Sequence, residues 1–187
     1  MFYGRGVADV SVRPAGPADV AEIARIQIDT WCTAYAKILP ESVLADLSAE
    51  TAGATWAIAV QTPPSPRHHV LVAREQHWIV GFAALSPVNQ AEEGIEDPST
   101  TASLGPLLVE PRWGRRGHGS RLLAAAVDHA RGDGMQQMIS WIPTGDSASL
   151  SFFRSAGWDV DGYARGLDTG AGELREIRLH TSLEDSP

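Results

Sequence analysis

Apolar positions recur along the chain with two different periods, and the alternation between them predicts a series of strands and helices. Val10 to Pro14 (VSVRP) alternates apolar and polar residues as a half-buried strand does. Gly16, Pro17 and Asp19 follow as a helix entry, with proline in the first turn and an acid near the positive end. Val20, Ile23, Ala24, Gln27, Ile28 and Trp31 then fall at helical spacing, with one polar exception, and predict a stripe that covers a sheet face. Pro40 to Val60 predicts continued helical material, which the prolines of QTPPSPR break. HVLVARE and WIVGFAALSPV predict a hairpin joined through Gln76 and His77.

The second half opens on an acidic stretch poor in apolar residues, Asn89 to Thr100, which reads as a solvated loop; a functional alternative places it over a cationic substrate. ASLGPLLVEP predicts a strand with Pro106 inside it, and a proline there forfeits a ladder hydrogen bond and favours a bulge or an edge. From Gly119 onward Leu122, Leu123, Ala126, Val127 and Ala130 predict a helix that ends at RGDG. MQQMISWIP predicts a strand. DSASLSFFRSAG predicts a short helix capped by Asp146 and stopped by Gly157, and WDVDGYAR with ELREIRLHTSL predicts a closing hairpin. There is no internal repeat and no linker, so the expectation is one mixed α+β domain over 1–187 with a core from about 10 to 182.

Composition narrows the partners. A chain of 187 residues with 43% hydrophobic content has enough apolar surface for one real core. A formal charge of −8 argues against a general nucleic-acid or anionic-membrane binder, although a local basic patch is compatible with it. Cys32 is the single cysteine, which excludes an intramolecular disulfide and a zinc cluster built on several thiolates; on an apolar helix it is expected to be packed and inert. The histidines stand at no metal-ligand spacing, so no metal is expected, and His68, His69, His77, His129 and His180 read as surface residues. The opening MFYGRGVADV lacks an apolar signal core and the longest apolar runs are too short to span a bilayer, which predicts a soluble, cytoplasmic protein.

The informative stretch is Leu107 to Leu123, LLVEPRWGRRGHGSRLL. A strand that runs through a glycine-rich turn into a helix leaves the first backbone N–H groups of that helix unpaired and aimed at one point, where an anion is favoured and glycine lets it approach. Arg115 and Arg116 add charge. A P-loop needs a lysine where this chain has Gly119-Ser120-Arg121, and a dinucleotide fingerprint belongs in an early βαβ unit, so a nucleotide-binding enzyme fits poorly.

Val109-Glu110-Pro111, then GRRGHG from Gly114 to Gly119, SRLL, and FFRSAGW from Phe152 to Trp158 together resemble the GNAT superfamily of coenzyme A-dependent N-acetyltransferases. The order of elements agrees over nearly the whole chain. The resemblance implies a mostly antiparallel sheet of six to seven strands, splayed at the fourth and flanked by about four helices. It also implies acetyl-CoA as co-substrate. The pyrophosphate would sit on the turn amides of Arg115, Arg116, Gly117, His118, Gly119 and Ser120, and the pantetheine arm would pair with the backbone of Leu107, Leu108 and Val109. Asp146, Ser149, Phe152 and Phe153 would flank the arm and thioester.

Three positions depart from the family pattern. Gly114 replaces the usual Gln or Arg, Ser103 stands where many relatives place a glutamate base, and Phe153 replaces a tyrosine that can protonate the departing thiolate. Glu92, Glu93, Glu96 or Asp97 is then the source of a base acting through water, Ser149 is a candidate partner for the sulfur, and Tyr35, four residues after Trp31, is a candidate to touch the amine although both aromatics also suit a core. The reading is an N-acetyltransferase in which a primary amine attacks the thioester directly, with the oxyanion met by a backbone N–H near Val109 and no covalent role for Cys32. The alternative is a catalytically weak acyl-CoA-binding or sensing protein of the same fold. The acceptor, with a cationic amine favoured, stays open, as does monomer against homodimer.

Overall fold

The computed structural model describes residues 9–90, 92–170 and 172–184. The opening segment before residue 9, and the last three residues of the expected 1–187 domain, lie outside them. Seven strands, β1 (Val10–Pro14), β2 (His69–Glu75), β3 (Trp78–Pro87), β4 (Thr101–Val109), β5 (Gln137–Pro143), β6 (Asp159–Asp168) and β7 (Glu173–Ser182), form one sheet in the order β1-β2-β3-β4-β5-β7-β6. Every pairing is antiparallel except β4 with β5.

Helices α1 (Val20–Ala34), α2 (Glu41–Ala45) and α3 (Ala49–Gln61) come between β1 and β2, α4 (His118–Gly132) links β4 to β5, and α5 (Ser147–Ser155) links β5 to β6. The two sides of the sheet are sorted by the period of the strands. Val70, Val72, Phe82 and Leu108 pack with Ile23, Ile26 and Trp56 of α1 and α3, while Leu71, Ala73 and Ala83 pack with Leu122 and Ala126 of α4. No helix among the described residues is long and apolar enough to cross a membrane.

Two local expectations are corrected. The run from Pro40 to Val60 is not continuous: it breaks at residues 46–48, where the Ser48 side chain accepts from the Thr51 N–H at 3.1 Å and starts α3 afresh. The buried stripe of α1 is rotated, with Ile26 and Thr30 fully covered and Ile28 and Trp31 only half-covered. The cause is α3, which packs on α1 beside the sheet; the polar exception Gln27 faces it and accepts from the Trp56 indole N–H at 2.7 Å.

The feature that matters most for function is the parting of β4 from β5. Only Thr101, Ala102 and Ser103 pair with β5, opposite Gln137, Met138 and Ile139, whereas β4 stays paired with β3 as far as Val109. The β3 register shifts between Ala83 and Leu85, opposite Gly105 and Pro106, whose peptide bond is cis. Pro106 therefore lies at a bulge in a strand that is interior on one side and open on the other.

Candidate active site

The register decides which backbone groups face the opening. Glu110 donates its N–H to the Val80 carbonyl at 2.9 Å, and Leu108 stands opposite Phe82 two residues before it. In an antiparallel ladder bonded and non-bonded pairs alternate, so Leu108 and Glu110 spend their backbone groups on β3 while Leu107 and Val109 direct theirs into the gap. Leu108 thus departs from the expectation that all three residues present their backbone to a ligand.

The gap opens into a cavity of ≈ 670 Å³ lined by residues of β4, β5 and α5 together with Trp31, Tyr35, Leu39 and the β6–β7 hairpin. Ser103 and Phe153 both line it. Phe153 is buried, with its ring centroid 4.9 Å from that of Trp158, and Phe152 leans toward the glycine turn, where a Cβ on Gly119 would stand 3.4 Å from its ring.

At the turn, Arg115 and Gly117 adopt positive φ of 61° and 81°, and Gly117 is the N-cap of α4 with no side chain closing the helix end. The first helical bond runs from Arg121 N–H to the Gly117 carbonyl, which leaves the N–H groups of His118, Gly119 and Ser120 without helical partners. Arg112, Arg115, Arg116 and Arg121 crowd this short segment, so an acidic chain carries a local basic patch at the positive end of a helix. Arg116 is held by Glu75 at 3.2 Å and over Trp113 at 4.9 Å. The imidazole of His118, buried against Trp113, bonds Glu75 at 2.8 Å. Its part is to fasten the turn to β2, a role that its place between glycines did not disclose.

At the acceptor end Tyr35 Oη lies 3.4 Å from Asp146 Oδ2, and the same oxygen accepts from Ser149 Oγ at 2.7 Å. Asp146 caps α5 as expected, taking the Ser149 N–H at 2.9 Å, but the Ser149 hydroxyl proton is thereby directed at Asp146. Burial first, then the Asp146 carboxylate, push the Tyr35 phenol above its ordinary range, so it remains a neutral donor at physiological pH. Trp31 and Tyr35, whose ring centroids are 6.1 Å apart, line the cavity.

Of the four acids in the loop after β3, only Glu92 lines the cavity. Glu96 is exposed and outside it, Asp97 caps a short turn by accepting from the Ser99 N–H at 2.9 Å, and Glu93 is exposed. The loop itself is tied down by β7: Arg178, 1% exposed, donates to Asp161 at 2.6 Å and to the Glu93 carbonyl, and stands 3.5 Å from Glu92. Gly94, at φ +68°, lies so close to the Tyr163 ring that no Cβ would fit. The loop keeps Glu93, Glu96 and Asp97 in solvent, as expected, and docks on the cleft wall at Glu92.

Glu176, Arg165, Trp141 and Arg178 were not singled out in the sequence. For Glu176 and Arg178 the signal was the period of β7, where Leu174, Glu176 and Arg178 share one face and the core residues Ile177 and Leu179 the other; Arg165 on β6 and Trp141 on β5 had no such signal. Cys32 is exposed rather than packed, because the buried face of α1 runs through Ile26 and Thr30 instead.

A sheet parted beside a glycine turn that opens a helix is the architecture of an acyl-CoA transferase cleft, and residues 28–158 match the acetyltransferase (GNAT) family, to which the chain belongs. It is accordingly an acyl-CoA-dependent N-acetyltransferase with acetyl-CoA as co-substrate. The uncharacterized N-acetyltransferase YuaI of Bacillus subtilis is 28% identical over 134 residues, which cover 71% of each chain. The N-alpha-acetyltransferase RimI of Mycobacterium tuberculosis is 30% identical over 101 residues, 54% of this chain and 58% of that one. Among solved structures, the PaiA N-acetyltransferase of Thermoplasma acidophilum in complex with coenzyme A superposes with a TM-score of 0.74 at 16% identity, over 93% of this chain and 99% of that one.

Proposed function

We propose that this protein transfers an acetyl group from coenzyme A to a primary amine by direct attack within a ternary complex. The observation that carries the reading is the pair of unpaired backbone positions, Leu107 and Val109, on an interior strand that leads straight into the uncapped start of α4. An arm with alternating amide groups completes such a strand as a missing neighbour would, and its diphosphate meets the N–H groups of His118, Gly119 and Ser120 with Arg115 beside them. Those residues fit coenzyme A on charge and on hydrogen-bonding capacity.

The Val109 N–H supplies a fixed donor for the oxyanion that develops as the amine attacks the thioester carbonyl. The amine's proton passes through water to Glu92, the acid of its loop that faces the cleft, while Ser103 contributes no base. Phe153 has no proton to give the departing thiolate, so that proton comes from the neutral Tyr35 phenol or from water. Holding both reactants in one cleft supplies much of the rate.

Calorimetric titration with acetyl-CoA, followed on the same sample by thiol release across an amine panel, tests the reading. Micromolar binding, about −8 kcal/mol, with amine-dependent thiol release is expected. Binding without release from any amine would overturn transfer in favour of an acyl-CoA sensor, the reading that Ser103 and Phe153 would then support.

A further inference from the structure

The acceptor end of the cleft has a chemistry that the coenzyme does not explain. Glu92 Oε1 is fixed by the Trp141 indole N–H at 3.0 Å, while Oε2 accepts nothing from the described residues. Glu176, nine-tenths buried, binds Arg165 Nε through Oε2 at 2.7 Å and likewise leaves Oε1 without a partner among the described residues. Arg165 in turn covers the face of Trp141, 4.4 Å from its centroid. The two carboxylates thus stand at the edge and beyond the face of one indole.

The charges do not cancel. Arg178 gives its shortest carboxylate bond to Asp161 and its face to Tyr163 at 4.0 Å, so it places Glu92 without claiming its second oxygen. Among the charged residues that line the cavity, Glu92 and Glu176 stand against Arg165 alone, which leaves one negative charge in excess. Trp31, Leu39, Leu167 and Leu174 add large apolar surfaces to the same cavity, alongside the polar Tyr35 and Asn89.

Building on the transferase reading, we propose that the acceptor is a small primary amine on an apolar, aromatic-sized body with no carboxylate beside the amine. Its ammonium is received by Glu92 and Glu176 before it is deprotonated, and Arg178 is a positioning residue that acts through Glu92. A free amino acid of the same size is disfavoured because its carboxylate enters a field that is already negative. The space shared with the thioester suits a compact body rather than a folded chain terminus.

Phenethylamine, phenylalanine and a short peptide with N-terminal phenylalanine are the probes, each titrated into the intact protein saturated with coenzyme A and each assayed for thiol release with acetyl-CoA. Phenethylamine is expected to bind at least about tenfold more tightly than phenylalanine and more tightly than the peptide. Glu92→Gln should weaken phenethylamine about tenfold or more while leaving the acetyl-CoA dissociation constant unchanged. That loss of amine affinity separates recognition from proton transfer, since a pure base would lose only turnover. Arg178→Lys should weaken the amine, and the double variant should bind it no worse than Glu92→Gln alone.

Equal affinity for phenethylamine and phenylalanine, preference for the peptide, or an unchanged affinity in Glu92→Gln would overturn the assignment. Additive losses in the double variant would overturn the role of Arg178 even if that variant is less stable. Failure of acetyl-CoA to bind, with amine binding intact, would instead remove the transferase reading and leave the amine site standing.

Discussion

Gly81→Ala tests the architecture of the cleft from its closed side. Gly81 lies on β3 opposite Val109, and a Cβ there would stand 2.6 Å from the Leu108 carbonyl oxygen and 3.1 Å from the Val109 Cα. The first contact falls about 0.8 Å short of ordinary van der Waals distance, and the obstacle is backbone, which no rotamer change can clear. The substitution must therefore push β4 away from β3, toward the gap. Overpacking of this kind costs about 1–3 kcal/mol, which in a chain of this length lowers Tm by roughly 2–12 °C. The shift also moves the Leu107 and Val109 amides by a sizeable fraction of an ångström, enough to weaken two hydrogen bonds to the pantetheine arm and reduce acetyl-CoA affinity about tenfold. Thermal unfolding and calorimetric titration of one preparation read both effects. Gly132→Ala, at a helical position with open space around its Cβ, is the control: it should leave acetyl-CoA affinity unchanged and hold or slightly raise Tm. A folded Gly81→Ala protein with unchanged Tm and unchanged acetyl-CoA affinity would refute the argument that β3 sets the position of β4.

Other perturbations probe separate parts of the account. Phe153→Tyr is expected to raise kcat severalfold with the acetyl-CoA dissociation constant unchanged, because it returns a phenol to the cavity wall; an unaltered kcat would mean that water or Tyr35 already protonates the thiolate. With Tyr35 held above its ordinary range, a basic limb in the kcat profile from this residue belongs above pH about 10, and a limb near 8 that Tyr35→Phe removes would contradict the neutral-phenol role. Asp19 is held below the usual carboxylate range chiefly by its paired hydrogen bonds to Arg13, at 2.6 and 2.9 Å. Its stabilisation is complete above the unfolded carboxylate value and is lost as pH falls through the lower folded one. Asp19→Asn should thus cost about 1 kcal/mol at pH 7, with the half-exposed Arg13 limiting the effect. The difference from wild type should vanish in strong acid; a gap that persists there would show that the loss is not electrostatic.

Elements with one period and clear punctuation were legible in the sequence. The stripe of α4, the Asp146 cap and the glycine turn each follow from local spacing, and their positions agree with the structure. The rotation of the α1 stripe was not legible, because it depends on α3 packing from the side, and that contact is set by tertiary geometry. The same holds for the acceptor wall. Nothing local distinguishes Glu92 from Glu93, Glu96 and Asp97; the choice is made by Arg178, 86 positions downstream in the chain, whose burial on β7 turns an acidic stretch into a docked loop. Leu108 shows a finer limit: that the coenzyme strand offers its backbone only at alternate residues depends on which pairs bond to β3.

The central claim is that an acyl-CoA arm completes β4 where β5 has parted from it, and residue-resolved amide hydrogen exchange with and without acetyl-CoA tests it most directly. The account predicts strong new protection at Leu107 and Val109, which face the gap, and little change at Leu108, whose N–H is already committed to β3. Saturating acetyl-CoA that leaves Leu107 and Val109 unprotected, or that protects Leu108 in their place, would contradict it.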